Sequence, residues 1–132
     1  MVPTTFAIRS AYRHLLRTAL QAIRYSKPAR YGARNILRDS FRNSPSSAFN
    51  PGRIQKTLEF LRTASEHNGT EHRILKNILF VRYWRDYPNK NKLYGAIRDN
   101  TDVGLDLRQN SKAHFDATLT MLNESLGLCL RV

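Results

Sequence analysis

Apolar residues repeat at three- and four-residue intervals through several successive segments of the chain. In the first segment, from about Phe6 to Tyr25, they fall at positions 8, 11, 12, 15, 16, 19 and 23. This spacing places them on one face of an α-helix. No stretch of the sequence shows the apolar–polar alternation that is typical of a β-strand. The sequence therefore predicts an all-α fold, in which antiparallel helices are joined by short loops.

Capping residues set the expected helix boundaries. Thr4 or Thr5 is a plausible cap for the first helix, and Asn50 with Pro51 is typical of a helix start. Gly69 and Gly127 are expected to stop the third and the last helix. Residues 99–104 have the polar composition of a loop. The predicted helices cover about residues 4–25, 28–42, 50–66, 70–87, 93–98 and 111–126.

Arginines form two rows with four-residue spacing. The first row is Arg9, Arg13 and Arg17, with Arg24 one heptad further on, and the second runs through positions 30, 34, 38 and 42. The chain has 22 basic and 10 acidic residues, and residues 1–98 hold 19 of the basic ones but only 5 acidic ones. A surface of this kind suits an acidic protein, a nucleic-acid backbone or an anionic membrane.

Several functional classes find no support in the sequence. Cys129 is the single cysteine, which rules out an intramolecular disulfide and a cysteine-based zinc site. No apolar run approaches the ~20 residues of a membrane span. The histidines lack metal-ligand spacing, and no catalytic triad or phosphate loop is present. We therefore expect no enzyme, no metal, no transmembrane segment and an N-terminal region that is retained, although it is basic like a transit peptide.

The first two predicted helices resemble a known family. The first helix carries a short motif, Ala11-Tyr12-Arg13, followed by Leu15, Leu16 and Arg17. It resembles the start of the mitochondrial LYR-motif proteins, also called complex I LYR-like proteins, with alanine in place of the leucine. Residues 34–43, which include Phe41 and Arg42, are similar to the family's next segment. The resemblance covers about residues 5–66, and the region after Gly69 lies outside the family core.

This resemblance implies a non-enzymatic adaptor of the mitochondrial matrix. It would be one domain over 1–132, with an LYR-like core at about 4–67 and a helical extension at about 70–130. Its partners would be the mitochondrial acyl carrier protein and a larger complex, either the mitochondrial ribosome or a respiratory complex. It would need no cofactor of its own, because the partner brings an acyl-4′-phosphopantetheine. The implied carrier-binding residues are Tyr12, Arg13, Arg17, Arg38, Phe41 and Arg42. The implied acyl tunnel is lined by Leu15, Leu16, Leu37 and Leu58.

Other interpretations of the same residues stay open. Tyr12 and Phe41 at helical spacing are also ordinary core positions, and arginine rows are often solvated helix faces. A basic structural protein that binds ribosomal RNA through its arginines, without an acyl carrier, is the main alternative. A peripheral protein that lies on anionic lipid through its basic amphipathic helices is another.

Overall fold

A computed structural model describes residues 2–86 and 102–132, except for the side chains of 102–108. Five α-helices and one short 3₁₀ turn account for most of these residues. None of the described residues lies in a β-strand, so the all-α prediction is confirmed. The helices are α1 (Thr5–Ala22), α2 (Ala29–Asn43), α3 (Pro51–Glu66), α4 (Thr70–Asp86) and α5 (Asp102–Leu126), with the 3₁₀ turn at Ser46–Ala48.

Two helices start where their capping residues predict. The Thr4 hydroxyl accepts a hydrogen bond from the Ala7 N–H at 3.2 Å. The Asn50 side-chain oxygen accepts from the N–H groups of Gly52 and Arg53 at 3.0 and 3.2 Å. Each cap satisfies backbone donors that have no partner inside the helix. The starts of α1 and α3 were therefore readable from local sequence.

The structure corrects the predicted end of the first helix. α1 stops at Ala22 instead of Tyr25, because Arg24 and Tyr25 take a φ of 54°. The Tyr25 N–H donates to the Leu20 carbonyl and the Arg24 N–H to the Gln21 carbonyl. These two bonds form a Schellman motif, which closes a helix with a left-handed residue. As a result, Arg24 lies beyond the helix and leaves the row of Arg9, Arg13 and Arg17.

The third helix ends at Glu66 as predicted, but without the expected left-handed glycine, and the predicted start of the last helix was wrong. α3 ends with His67 in an extended conformation, and Gly69 does not take the positive φ expected of a left-handed stop. Gly127, by contrast, has a φ of 66°, as predicted. α5 begins at Asp102, so the last part of the predicted loop at 99–104 is helical. The predicted short helix at 93–98 lies outside the described residues.

The core is one apolar cluster to which all the helices contribute. α1 packs against α2 and α3, and α4 packs against α2 and α3. The buried members of the cluster are Leu15, Ala19, Ala22, Ile23, Ala33, Ile36, Leu58, Phe60, Leu61, Ala64, Leu75, Ile78, Leu79, Leu119, Leu128 and Leu130. None of the described helices is long and apolar enough to cross a membrane.

The segment after α5 folds back onto α3. The Cys129 N–H donates to the Thr57 hydroxyl at 3.1 Å, and Asn123 exchanges two hydrogen bonds with the backbone of Leu130. Leu128 and Leu130 are buried as a consequence. The bond between Cys129 and Thr57 spans 72 positions of sequence and attaches the C-terminal tail (residues 127–132) to α3, whereas the Asn123 bonds hold the tail against the end of α5.

Ion pairs also join the helices. Arg82 on α4 contacts Asp39 on α2 at 2.6 Å and Asp86 at 2.9 Å. Arg85, at the end of α4, contacts Asp116 on α5 at 2.9 Å. Arg53 on α3 lies 3.4 Å from Glu124 on α5. The second half of the molecule is thus tied to the first by charged side chains as well as by apolar packing.

Candidate functional site

A large cavity lies between the five helices. Its volume is about 680 Å³, and it is partly open to solvent. That volume is within the ~300–1,000 Å³ that small-molecule sites have. The apolar side chains that line it come from every helix and from the tail. They include Ile8, Leu15, Ala33, Ile36, Leu37, Phe41, Ile54, Leu61, Leu75, Ile78, Leu79, Leu119, Leu128 and Leu130.

A cavity of this size is not an empty defect of packing. At ~24 cal/mol per Å³, a dry void with this volume would cost on the order of 16 kcal/mol. The net stability of a whole domain is only ~5–15 kcal/mol. Because the space is partly open to solvent, water or a ligand can enter it.

Two of the four residues predicted to line an acyl tunnel lie at the cavity. Leu15 on α1 and Leu37 on α2 line the cavity. Leu16 and Leu58 are not among its lining residues: Leu58 is buried in the core, and Leu16 is half-buried on the flank of α1. Adjacent positions on a helix differ by about 100° in direction, so Leu15 and Leu16 cannot both face the same cavity squarely.

The two predicted aromatic residues meet. The rings of Tyr12 and Phe41 contact each other edge to face, with centroids 5.3 Å apart and planes at 76°. Phe41 also lines the cavity, whereas Tyr12 does not. The pair therefore joins α1 to α2 beside the cavity, and Tyr12 directly precedes Arg13 in the sequence.

The predicted arginines lie away from the cavity. Arg13 and Arg17 are exposed and line a separate groove of about 390 Å³ along the outer face of α1, together with Phe6, Arg9 and His14. Arg38 and Arg42 are exposed on α2 and line neither space. Among the described residues, no acidic side chain forms an ion pair with these four arginines.

Sequence reasoning missed several polar side chains that line the cavity. They include Arg53, Arg85, Asp116, Asn123 and Glu124, which lie on α3, α4 and α5. The Nε atom of Arg85 is buried and has no hydrogen-bond partner within the described part of the chain. Such an unsatisfied donor costs ~1–3 kcal/mol. The residues are 31 to 71 positions apart in their pairs, so no local pattern indicated them.

A second cationic feature lies at the start of α2. The Arg30 guanidinium donates to the Tyr31 hydroxyl at 2.9 Å and lies 4.9 Å from the centre of its ring. The Arg34 guanidinium lies 5.7 Å from the same ring. The hydrogen bond from Arg30, and then its charge, lower the pKa of Tyr31 below its ordinary value of 10.0. This arrangement presents an aromatic ring among positive charges on the surface.

Comparison with known proteins gives a distant relative. No family model and no solved structure matches the chain. The chain is 33% identical over 78 residues to the UPF0593 mitochondrial protein of Schizosaccharomyces pombe. It is a distant homologue of a mitochondrial protein. The matched stretch is 58% of this chain and 62% of the relative, so the chain spans less than two thirds of the relative's length.

Proposed function

We propose that this protein is an adaptor of the mitochondrial matrix that binds an acyl-loaded acyl carrier protein. The acyl chain lies in the cavity, and the exposed arginines of α1 and α2 hold the carrier. The proposal is supported by the resemblance of residues 5–66 to LYR-motif proteins and by the mitochondrial name of the yeast relative. The observation that carries it is the cavity of about 680 Å³ beside two helices with unpaired arginine faces.

The cavity suits an alkyl chain. Its lining on α1, α2 and α4 is apolar apart from Ser40 on α2 and Arg85 at the end of α4. Each CH₂ group that moves from water into such surroundings gains ~0.8 kcal/mol. A fully buried chain of ~8–16 carbons would therefore contribute on the order of 6–13 kcal/mol, the same order as the ~4–15 kcal/mol cost of association.

The outer groove of α1 suits the carrier itself. Acyl carrier proteins are acidic, and guanidinium groups form strong charge-assisted bonds with carboxylates and phosphate. Arg13 and Arg17 present such groups in one groove, beside the exposed ring of Phe6. Phe41 of the Tyr12–Phe41 pair lines the cavity, and in this proposal the phosphopantetheine arm passes beside the pair. Arg38 and Arg42 add positive charge on the neighbouring helix.

The adaptor has no reaction of its own in this proposal. The acyl-4′-phosphopantetheine belongs to the carrier, and the chain contributes a binding surface. The remaining basic surface attaches the pair to a larger assembly, either the mitochondrial ribosome or a respiratory complex. A ribosome is favoured by the net charge of +12, because ribosomal RNA is a polyanion.

Co-expression with the mitochondrial acyl carrier protein tests the proposal. Intact mass spectrometry of the purified chain should show a retained carrier whose mass includes 4′-phosphopantetheine and a long acyl group. Arg13→Glu with Arg17→Glu should abolish retention and leave the circular dichroism spectrum unchanged. Arg62→Glu with Arg73→Glu is the matched control, because both residues are exposed on other helices. If wild type never retains an acylated carrier, the proposal fails.

Direct RNA binding is the second candidate, favoured by the Tyr31 cluster. A ring between two guanidiniums offers both stacking and phosphate contacts to single-stranded RNA. This candidate predicts affinity that falls steeply with salt and does not depend on an acyl group. Arg30→Gln with Arg34→Gln should weaken RNA binding without changing carrier retention. Equal RNA affinity of this variant and wild type would remove the candidate.

A further inference from the structure

Two large apolar side chains lie in water at the start of α1. Val2 is 83% exposed and Phe6 is 79% exposed, the highest values among the large apolar residues at the surface of the described chain. Phe6 belongs to the first turn of α1, and Val2 precedes it by four positions. A single exposed apolar side chain is ordinary, but neighbouring ones mark a surface that meets a partner.

Phe6 lies on the same face of α1 as the arginine row. At 100° per residue, positions 6, 9, 13 and 17 fall within an arc of about 80° around the helix axis. Accordingly, Phe6, Arg9, Arg13 and Arg17 line one outer groove. Leu15, half a turn away from Phe6 around the axis, is buried in the core. The main apolar face of α1 is thus inside the bundle, and Phe6 adds an apolar ring to its cationic outer face.

No negative charge offsets this face. The first acidic residue of the sequence is Asp39. The first turn of α1 has no acidic side chain, although the partial positive charge at a helix start favours one there. Among the residues that the structure describes, no carboxylate forms an ion pair with Arg9, Arg13 or Arg17. Unpaired cations beside exposed apolar side chains suit an anionic surface that has hydrocarbon beneath it.

We infer that the outer face of α1 docks on an anionic lipid bilayer. Val2 and Phe6 enter the boundary between headgroups and acyl chains, and Arg9, Arg13 and Arg17 pair with lipid phosphates. RNA would account for the arginines alone, because valine has no ring to stack on a base. This inference goes beyond the proposed function, since it needs no carrier protein. The carrier and the bilayer share arginines, so one molecule of the protein binds one of them at a time.

Flotation of the purified chain with lipid vesicles, without any carrier, tests the inference. Wild type should bind vesicles of phosphatidylcholine mixed with phosphatidylglycerol at least about ten-fold more tightly than pure phosphatidylcholine vesicles. Val2→Ser with Phe6→Gln should weaken binding to the mixed vesicles by about ten-fold, because no apolar side chain then enters the bilayer. Met121→Gln is the matched control, since Met121 is 65% exposed on α5, and it should bind like wild type. Circular dichroism should show the same helix content in all three proteins.

Tryptophan fluorescence reports whether the apolar side chains enter the bilayer. Trp84 is the single tryptophan of the chain, so Trp84→Phe provides a background without one. In that background, the emission of Phe6→Trp should move to shorter wavelength when the mixed vesicles are added, whereas that of Met121→Trp should not.

The outcomes separate this inference from the proposed function. No binding to the mixed vesicles, or an unshifted emission of Phe6→Trp, would overturn it. Equal binding by wild type and the double variant of Val2 and Phe6 would also overturn it, because the face would then recognise charge alone, as expected for an acidic carrier or RNA. A failure to retain the carrier in co-expression leaves these measurements unaffected, since no carrier is present in them.

Discussion

The arginines of α1 and α2 differ from those of α3 and α4 in whether an acidic side chain lies beside them. Arg13 and Arg17, like the other exposed members of the two rows, pair with no acid of the described chain. Arg53, Arg82 and Arg85 each contact an acidic side chain on another helix. Arginine thus has two roles in this protein. On α3 and α4 it connects helices through ion pairs, and on α1 and α2 it leaves a positive charge available on the surface. The comparison teaches that net charge alone does not show where a partner binds.

Replacing an arginine that forms an ion pair between helices should have the largest effect on stability. Burial disfavours the charge on Arg82, but its hydrogen bonds to Asp39 and Asp86, with their charges, outweigh this and raise the pKa of Arg82 above its ordinary value. The stabilisation is therefore complete below the ordinary pKa of an arginine and constant through the neutral range. Arg82→Met leaves both acids unpaired and should lower the free energy of unfolding by about 2 kcal/mol.

The matched variant in the other group is Arg17→Met. It should change stability by less than ~0.5 kcal/mol, because an exposed cation without a partner contributes little to folding. Urea denaturation of both variants at neutral pH makes the comparison. Similar losses in the two variants would mean that the α1 row is structural, which would contradict the distinction between the groups.

Breaking the hydrogen bond that attaches the tail to Thr57 should have the next largest effect on stability. Thr57→Val removes the acceptor of the Cys129 N–H and should cost about 1–2 kcal/mol, since that buried donor is left unpaired. Thr63→Val is the control, because both hydroxyls bond to the carbonyl four residues earlier but the bonds described for Thr63 include none to the tail. Hydrogen exchange at Cys129 should quicken in the first variant alone.

Two glycines should respond with opposite signs. Gly127→Ala should destabilise the protein by about 1 kcal/mol, because its φ of 66° disfavours a side chain and the new Cβ would lie 3.1 Å from Lys56 Nζ. Gly32→Ala in α2 should stabilise it by ~0.5–1 kcal/mol, since the new Cβ would lie at an ordinary 3.6 Å from Leu79 Cδ2. Thermal melts of the two variants should move in opposite directions, and a loss in both would contradict this account of Gly32.

The smallest effect should appear at Tyr31, and only at alkaline pH. Its lowered pKa means that the stabilising effect of Arg30 is present above pH 10 and is lost as the pH falls through the pKa in the folded state. At neutral pH, Arg30→Gln should therefore leave stability unchanged. Spectroscopic titration of the phenol should show its pKa moving back towards the ordinary value in this variant, and an unmoved pKa would contradict the assigned cause.

Local features were predictable from the sequence, and long-range ones were not. The periodicity of α1 to α4, the caps at Thr4 and Asn50, and the exposed arginine rows all follow from residues within a few positions of one another. The start of α5 was missed because residues 99–104 are polar and include a glycine, which locally favours a loop. Of the four residues predicted to line an acyl tunnel, Leu15 and Leu37 line the cavity, whereas Leu16 and Leu58 do not. The pairs Arg85–Asp116 and Thr57–Cys129 form only when distant segments meet, so no spacing rule indicates them.

The attachment of the tail to Thr57 has a consequence for biosynthesis. A ribosome makes α1 to α4 before α5 and the tail, which contribute Leu119, Leu128 and Leu130 to the cavity lining. A nascent chain at that stage exposes the apolar side chains of α1, α2 and α4 that line the cavity in the finished protein. The cavity lining is therefore complete only after the last residues of the chain have been made, because Leu128 and Leu130 are part of it.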